Sequence, residues 1–238
     1  MTHALEAAGL TKAFKGRLAV ENVSIQVRPG EVVGLLGPNG AGKTTTFKML
    51  LGLLRPDAGS VRFGQDLGGM PLHRRARLGL GYLPQGASVF QGMGVEDNLL
   101  ALLEALGGDE PQRRAHALLE QFGLTHLRDQ KARTLSGGER RRLEFARALC
   151  SNPTILLCDE PFAGVDPIAV RDIALAIRAL ADNRVGVLLT DHSVRDALAS
   201  CDRIYLIVEG RIRDCGTPDQ ILASSAAKQF YLGENFTP

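Results

Sequence analysis

Gly37-Pro38-Asn39-Gly40-Ala41-Gly42-Lys43-Thr44 lies between an apolar run at 31–36 and a segment of helical period at 43–54, and it fits G-x-x-x-x-G-K-[ST] at every fixed position. The flanks matter as much as the match. A strand that ends in a Gly-rich turn and re-enters a helix points successive N–H groups and the helix N-terminus into one concavity, which favours phosphate oxygens. Lys43 adds a full positive charge for the β- and γ-phosphates, and Thr44 adds a hydroxyl for Mg2+. Thr45, beside it, is counted with the nucleotide-binding residues.

Outward from this loop, strand-length apolar runs recur at 155–158 and 185–189 and alternate with segments of helical period, the pattern of an α/β domain with a largely parallel sheet. Residues 4–14, 19–27 and 60–63 alternate and end in turn signals such as Arg28-Pro29-Gly30, which predicts an antiparallel sheet at one side. Between Gln85 and Thr134 the strand signal fades. There, 95–106 and 112–122 carry apolar residues at helical spacing, and the stretch reads as a helical insertion. The expected organisation is a single domain over 1–238, with 1–85 and 151–238 as the core and 86–150 as the helical part.

Composition excludes several classes. At 238 residues, with 45% hydrophobic and 23% charged residues, the chain is long enough for a buried core and unlike a disordered or fibrous protein. Lys plus Arg number 28 and Asp plus Glu 26, a formal net charge of +2, so nothing points to nucleic acid or to an anionic membrane surface. The start, MTHALEAAGLTK, lacks a basic segment followed by an apolar one, and no apolar run approaches the ~20 residues of a membrane helix. A cytoplasmic location is expected. Cys150, Cys158, Cys201 and Cys215 form no C-x-x-C pair and sit in or beside apolar segments, so buried reduced thiols are expected.

Ile155-Leu156-Leu157-Cys158-Asp159-Glu160 is an apolar strand ending in two carboxylates. The first, Asp159, suits a metal at the carboxyl edge of a parallel sheet; Glu160, one residue farther, suits the general base for a water attacking a γ-phosphate. Nucleotide hydrolysis is the chemistry these two motifs imply together. Leu135-Ser136-Gly137-Gly138-Glu139 has Ser and Glu three residues apart, a capping box that starts a helix at Ser136 with free N–H groups and two glycines for close approach. Arg140, Arg141 and Arg142 follow, where cations oppose the helix dipole unless an anion is near. By itself this is more often a capped helix with a solvated basic face.

Phosphate loop, LSGGE and ILLCDE, in this order and spacing, resemble the ATP-binding cassette (ABC) ATPases over essentially the whole chain. The resemblance implies a P-loop NTPase (RecA-like) core with an antiparallel β subdomain and an inserted α-helical subdomain, binding ATP and Mg2+. It also implies roles residue by residue. Phe14 is similar to the aromatic that stacks on adenine, and Gln85, in Tyr82-Leu83-Pro84-Gln85, to the Q-loop glutamine between the site and the helical insertion, counted with both the catalytic and the metal-binding residues. Ser136, Gly137 and Gly138 resemble the signature that closes on ATP held by the partner cassette. Asp166 resembles the D-loop aspartate and His192 the switch histidine that contacts the γ-phosphate. Two features depart mildly from the family: Glu139 stands where Gln is commoner, and Phe14 where Tyr is commoner.

Cassettes of this family pair head to tail, and a chain with one phosphate loop needs a second copy, which implies a homodimer. It also implies two integral-membrane permease subunits, with membrane contact only through those partners, on the cytoplasmic face of the inner membrane. LSGGERRR, DEPFAGVDPI, TDHSVRDAL and YLGENF resemble the lipopolysaccharide-export branch of the family, with the branched-chain amino-acid importers as the nearer competitor. Non-transport cassettes of translation or DNA repair form the rival class; the first usually have two cassettes per chain and the second a long coiled coil before the signature. Ala87, Val89, Phe90 and Met93 are apolar in an otherwise polar, Gly-rich stretch and are expected to line a groove for a short permease helix.

Overall fold

The structure, a computed structural model, describes residues 3–233; the first two residues of the amino-terminal reading and residues 234–236 of the YLGENF tail lie outside it. Strands β1 (Leu5–Phe14) and β2 (Arg17–Val27) form a hairpin, followed by β3 (Val32–Leu36) and α1 (Lys43–Leu50). Next come β4 (Ala58–Phe63), β5 (Gln65–Asp66), α2 (Leu72–Arg77) and β6 (Leu80–Leu83). Helices α3 (Val95–Leu106), α4 (Pro111–Gln121) and α5 (Gly137–Leu149) then run without an intervening strand. The chain returns through β7 (Ile155–Asp159), α6 (Pro167–Asp182), β8 (Gly186–Thr190), α7 (Val194–Ser200), β9 (Arg203–Val208), β10 (Arg211–Gly216) and α8 (Pro218–Ala223).

The strands divide as their patterning requires. Residues of β1, β2 and β4 alternate between buried and exposed and build an antiparallel sheet in the order β2-β1-β4-β5. The continuously apolar β3, β7 and β8 are buried along their whole length in a second sheet, β10-β9-β3-β8-β7-β6. That sheet is parallel from β9 to β6, with β10 antiparallel at its edge. Its two faces feed two cores: Val32 and Leu36 point to the helical side, and Val33 and Leu35 to the antiparallel sheet.

Parallel order puts β6, β7, β8 and β3 side by side with their carboxyl ends on one rim. Everything that follows those strands therefore meets there. Gln85 comes two residues after β6, Glu160 one after β7, His192 two after β8, and the phosphate loop directly after β3.

α1 stops at Leu50, short of the 43–54 span expected, because Gly52 turns into the left-handed region at φ +72°. The carbonyls of Met49 and Leu50 at the end of α1 are taken by a side chain from α2: Arg75 Nη1 donates to both, at 3.1 and 2.5 Å. Its Nε and Nη2 donate to Met70 O and Leu67 O, at 2.8 and 2.9 Å, and the residue is only 3% exposed. A guanidinium at a helix carboxyl end also suits the dipole. Arg75→Met should therefore lower stability by about 3 kcal/mol in urea unfolding by leaving several buried carbonyls without donors; an unchanged midpoint would mean those carbonyls find other donors.

One expectation about the cysteines fails. Cys150, Cys158 and Cys201 are buried, and burial pushes the Cys150 and Cys158 thiols up to about 11 and about 12. Cys215 is exposed, because β10 is an edge strand with alternate residues facing solvent. Among the described residues no helix is long and apolar enough to cross a membrane.

Candidate active site

Gly37 through Gly42 form the loop between β3 and α1, and its three glycines all have a positive φ that side chains rarely adopt. Gly42 is the N-cap of α1 at φ +108°, and a Cβ there would lie 2.8 Å from the Ala19 carbonyl oxygen. Asn39 and Gly40 are exposed, Pro38 half-buried and Ala41 buried. Lys43 is buried, and its Nζ donates to the carbonyls of Gly37 and Pro38 at 2.6 and 3.0 Å. Burial pulls its pKa below the usual lysine value, against the opposing charges of Glu160, Asp159 and Asp191. Thr44 is exposed at the start of α1 and Thr45 half-buried.

Phe14, at the end of β1, is half exposed and lines a cavity of about 660 Å³ whose other wall is Pro38, Asn39, Gly40 and Ala41. The aromatic ring and the phosphate loop thus share one space, as a nucleotide base and its phosphates require. Arg17, Leu18, Ala19, Glu209 and Gly210 complete the lining. None of these was marked in the sequence, because the β1–β2 hairpin and the β9–β10 turn meet only in three dimensions.

On the same rim, after β7, the carboxylate of Glu160 is the focus. Gln85 Nε2 donates to Glu160 Oε2, and His192 Nε2 lies 2.7 Å from the same oxygen. Two residues far apart in the chain thus converge on one carboxylate, which belongs to a buried residue. Glu160 also has φ +52°, a left-handed backbone for a side chain with a Cβ. Its N–H donates to Thr190 O at 2.9 Å, while Arg141 Nη2 donates to its carbonyl at 3.0 Å. Strain of this kind persists where surroundings over-determine it, commonly at working sites.

Asp159 pairs in register with Thr190, whose hydroxyl donates to Asp159 Oδ1 at 2.9 Å. Asp191, not singled out in the sequence although it lies within Thr190-Asp191-His192, is buried. It accepts from Phe162 N–H at 3.0 Å and from Ser193 N–H at 2.9 Å, tying the chain after Glu160 to the loop that carries His192.

Ser136 caps α5 as its sequence requires. Its Oγ accepts from Glu139 N–H at 3.3 Å, and Glu139 Oε2 accepts from Ser136 N–H at 2.8 Å. The Ser136 hydroxyl also donates to that carboxylate, which holds the Glu139 pKa below its usual range. Ser136 and Gly137 are exposed and Gly138 half-buried; a Cβ added at Gly138 would lie 3.1 Å from Ala169 Cβ and 4.0 Å from Asp166 Oδ2. Asp166 Oδ1 is engaged within the chain as the N-cap of α6, accepting from Ile168 and Ala169 N–H at 3.0 Å each.

The arginine run does not gather at the anion-binding end of α5. Consecutive helical residues point about 100° apart, so the three side chains diverge. Arg140 donates to Leu135 O at 3.1 Å, Arg142 pairs with Asp172 at 3.6 Å, and Arg141 turns into the interior. In the groove expected after Gln85, Val89 joins the core instead. Ala87 and Phe90 are exposed and Met93 half-buried. Arg147 lies 4.4 Å from the Phe90 ring centre, and buried Asn98 holds the Phe90 backbone through both N–H and C=O, at 2.8 and 3.1 Å.

Known proteins share this arrangement. The family model described as "ABC transporter" matches residues 20–163. The lipopolysaccharide export system ATP-binding protein LptB of Escherichia coli K12 is 52% identical over 236 residues, covering 98% of each chain. LptB of Haemophilus influenzae Rd is 50% identical over the same share. Among solved structures, the ADP conformation of MJ1267, an ATP-binding cassette of an ABC transporter, superposes with a TM-score of 0.88 at 29% identity, over 98% of this chain and 100% of the other. With a phosphate loop, a carboxylate-tipped strand and a capped signature helix on one frame, and relatives matched along almost the whole length, the chain belongs to the ABC transporter family as an ATP-binding cassette.

Proposed function

We propose that this chain is the ATP-hydrolysing subunit of a lipopolysaccharide exporter, working as a homodimer beneath two integral-membrane permease subunits on the cytoplasmic face of the inner membrane. The observation that carries the hydrolysis is the convergence of Gln85 and His192 on Glu160 beside the phosphate loop. Full-length identity to LptB supports the transported substrate.

The residues present fit ATP with Mg2+. Phe14 would stack on adenine, the N–H groups of 37–42 and Lys43 would hold the phosphates, and Thr44, Asp159 and Gln85 would supply oxygen ligands of the kind Mg2+ prefers. Gln85 suits this because its amide N–H is already spent on Glu160, leaving its carbonyl oxygen for the metal. Mg2+ held there would offset negative charge on the phosphates. Lys43 must leave the Gly37 and Pro38 carbonyls to reach the phosphates, an exchange of two neutral acceptors for anionic ones. Glu160 then holds the attacking water and takes its proton, while His192 and Gln85 fix the carboxylate's orientation. Ser136, Gly137 and Gly138, with Asp166 beside them, would close on the ATP of the partner copy.

The permease would seat a short helix against Ala87, Phe90, Met93 and the Arg147 guanidinium. Phe90→Glu should abolish assembly with the permease and transport while the isolated chain retains ATP hydrolysis; unchanged assembly with the membrane subunits would overturn the docking site. Isolating the chain from membranes and identifying the permease that accompanies it tests the exporter reading itself. Absence of any membrane partner, or recovery with an amino-acid permease, would overturn it.

A further inference from the structure

Arg141 has no place in the chemistry above, yet it is among the most enclosed charged groups of the molecule, at 5% exposure on the second turn of α5. Its partners are not scattered. Nε donates to Pro161 O at 3.1 Å and Nη2 to Glu160 O at 3.0 Å, so the guanidinium grips two successive carbonyls where the chain leaves β7 through Glu160. Nη1 donates at 3.1 Å to Pro84 O, the carbonyl immediately before Gln85. The same Nη1 donates at 2.8 Å to Glu144 Oε2, and Glu144 Oε1 accepts from Ser88 N–H, three residues after Gln85, at 3.1 Å. Glu144 is 4% exposed.

A buried ion pair is weak evidence for stability, since apolar residues of similar volume often serve as well. What this pair adds is position. The guanidinium fork is rigid and planar, and a single Arg fixes the distance between the chain bearing Gln85 and the chain bearing Glu160. It does so while sitting on the helix that Ser136 caps and that begins with Gly137 and Gly138.

We propose that Arg141 is a positioning residue for hydrolysis, acting through Glu160 and Gln85: it locks the strained backbone of Glu160 and the Gln85 loop in register, and makes both follow α5. Movement of the signature end, where a partner's ATP would bind, is thereby transmitted to the carboxylate of this chain's own site. The proposal rests on the reading of Glu160 as the general base.

The test uses the full chain and steady-state ATP hydrolysis. Arg141→Lys keeps the charge beside Glu144 and loses the fork; kcat should fall about 10²-fold, the scale of a misplaced reacting group, with KM for ATP within about twofold. Gln85→Ala should then cost far less in the Arg141→Lys background than in the parent, because its target is already displaced. Glu144→Gln, which leaves the three carbonyl bonds of Arg141, should stay within about threefold of the parent kcat, and it carries the test if Arg141→Lys does not fold. Three results would overturn the proposal: kcat per ATP-binding site unchanged in Arg141→Lys, multiplicative effects of Arg141→Lys and Gln85→Ala, or a fall in Glu144→Gln as large as that expected of Arg141→Lys. Failure of the base reading is distinguishable, because it would appear as normal turnover in Glu160→Gln whatever Arg141 does.

Discussion

Glu160→Gln should turn ATP over about 10³-fold more slowly while still binding it. The substitution keeps the shape of a buried side chain and changes only what its terminal atoms can do. In the parent, Glu160 Oε2 accepts from Gln85 and faces His192 Nε2 at 2.7 Å. A carboxamide retains one acceptor oxygen, so the amide can preserve that contact. It cannot take a proton from water, and this is the step the variant removes. Nucleotide affinity should survive because the phosphate loop is built on β3 and α1, not on β7. The Coulombic support that Glu160 gives the Lys43 ammonium against burial is lost, but Asp159 and Asp191 remain to sustain it. With binding intact and release blocked, ATP should hold two copies together, visible as a dimer in size-exclusion chromatography at saturating ATP. Normal phosphate release from this variant would move the base elsewhere.

The parts of the site legible in the sequence are those whose geometry is local. A phosphate loop is dictated by glycine conformations and by the helix that follows, and the capping box at Ser136 by two residues one turn apart. Strand-tip carboxylates need only a buried strand before them. The helical nature of 95–106 and 112–122 is likewise written in periodicity, and the structure places helices at Val95–Leu106 and Pro111–Gln121. What could not be read is set by neighbours distant in the chain. Three adjacent arginines look alike in a sequence, but only Arg141 points toward Glu160 and Pro84, which lie 19 and 57 residues away. Leu18 and Glu209 reach the nucleotide cavity only because two hairpin turns meet over it. The early end of α1 had a local signal in Gly52, which outweighs the helical periodicity of the leucines on either side.

Gly37→Ala should be the most damaging single-methyl change in the chain. A Cβ at this position would lie 2.0 Å from the carbonyl oxygen of Ile207 and 3.0 Å from its carbonyl carbon. No rotamer relieves the contact, because both partners are backbone. Ile207 belongs to β9, which pairs with β3 up to Leu36↔Leu206, so moving its carbonyl means opening the ladder that supports the phosphate loop. Moving Gly37 instead displaces the carbonyl that holds Lys43 Nζ at 2.6 Å. Either adjustment should lower stability by about 3 kcal/mol, a melting temperature lower by roughly 10 °C for a chain of this size. ATP binding should be lost along with it. Gly40→Ala provides the contrast within the same loop: nothing lies within 4 Å of its added methyl, and only its φ of +78° resists the change. A left-handed alanine costs about 1–2 kcal/mol, so that variant should melt only a few degrees below the parent and still bind ATP. If Gly37→Ala melts with Gly40→Ala and binds nucleotide, β9 yields easily, and the close approach of the two backbones is not what confines this position to glycine.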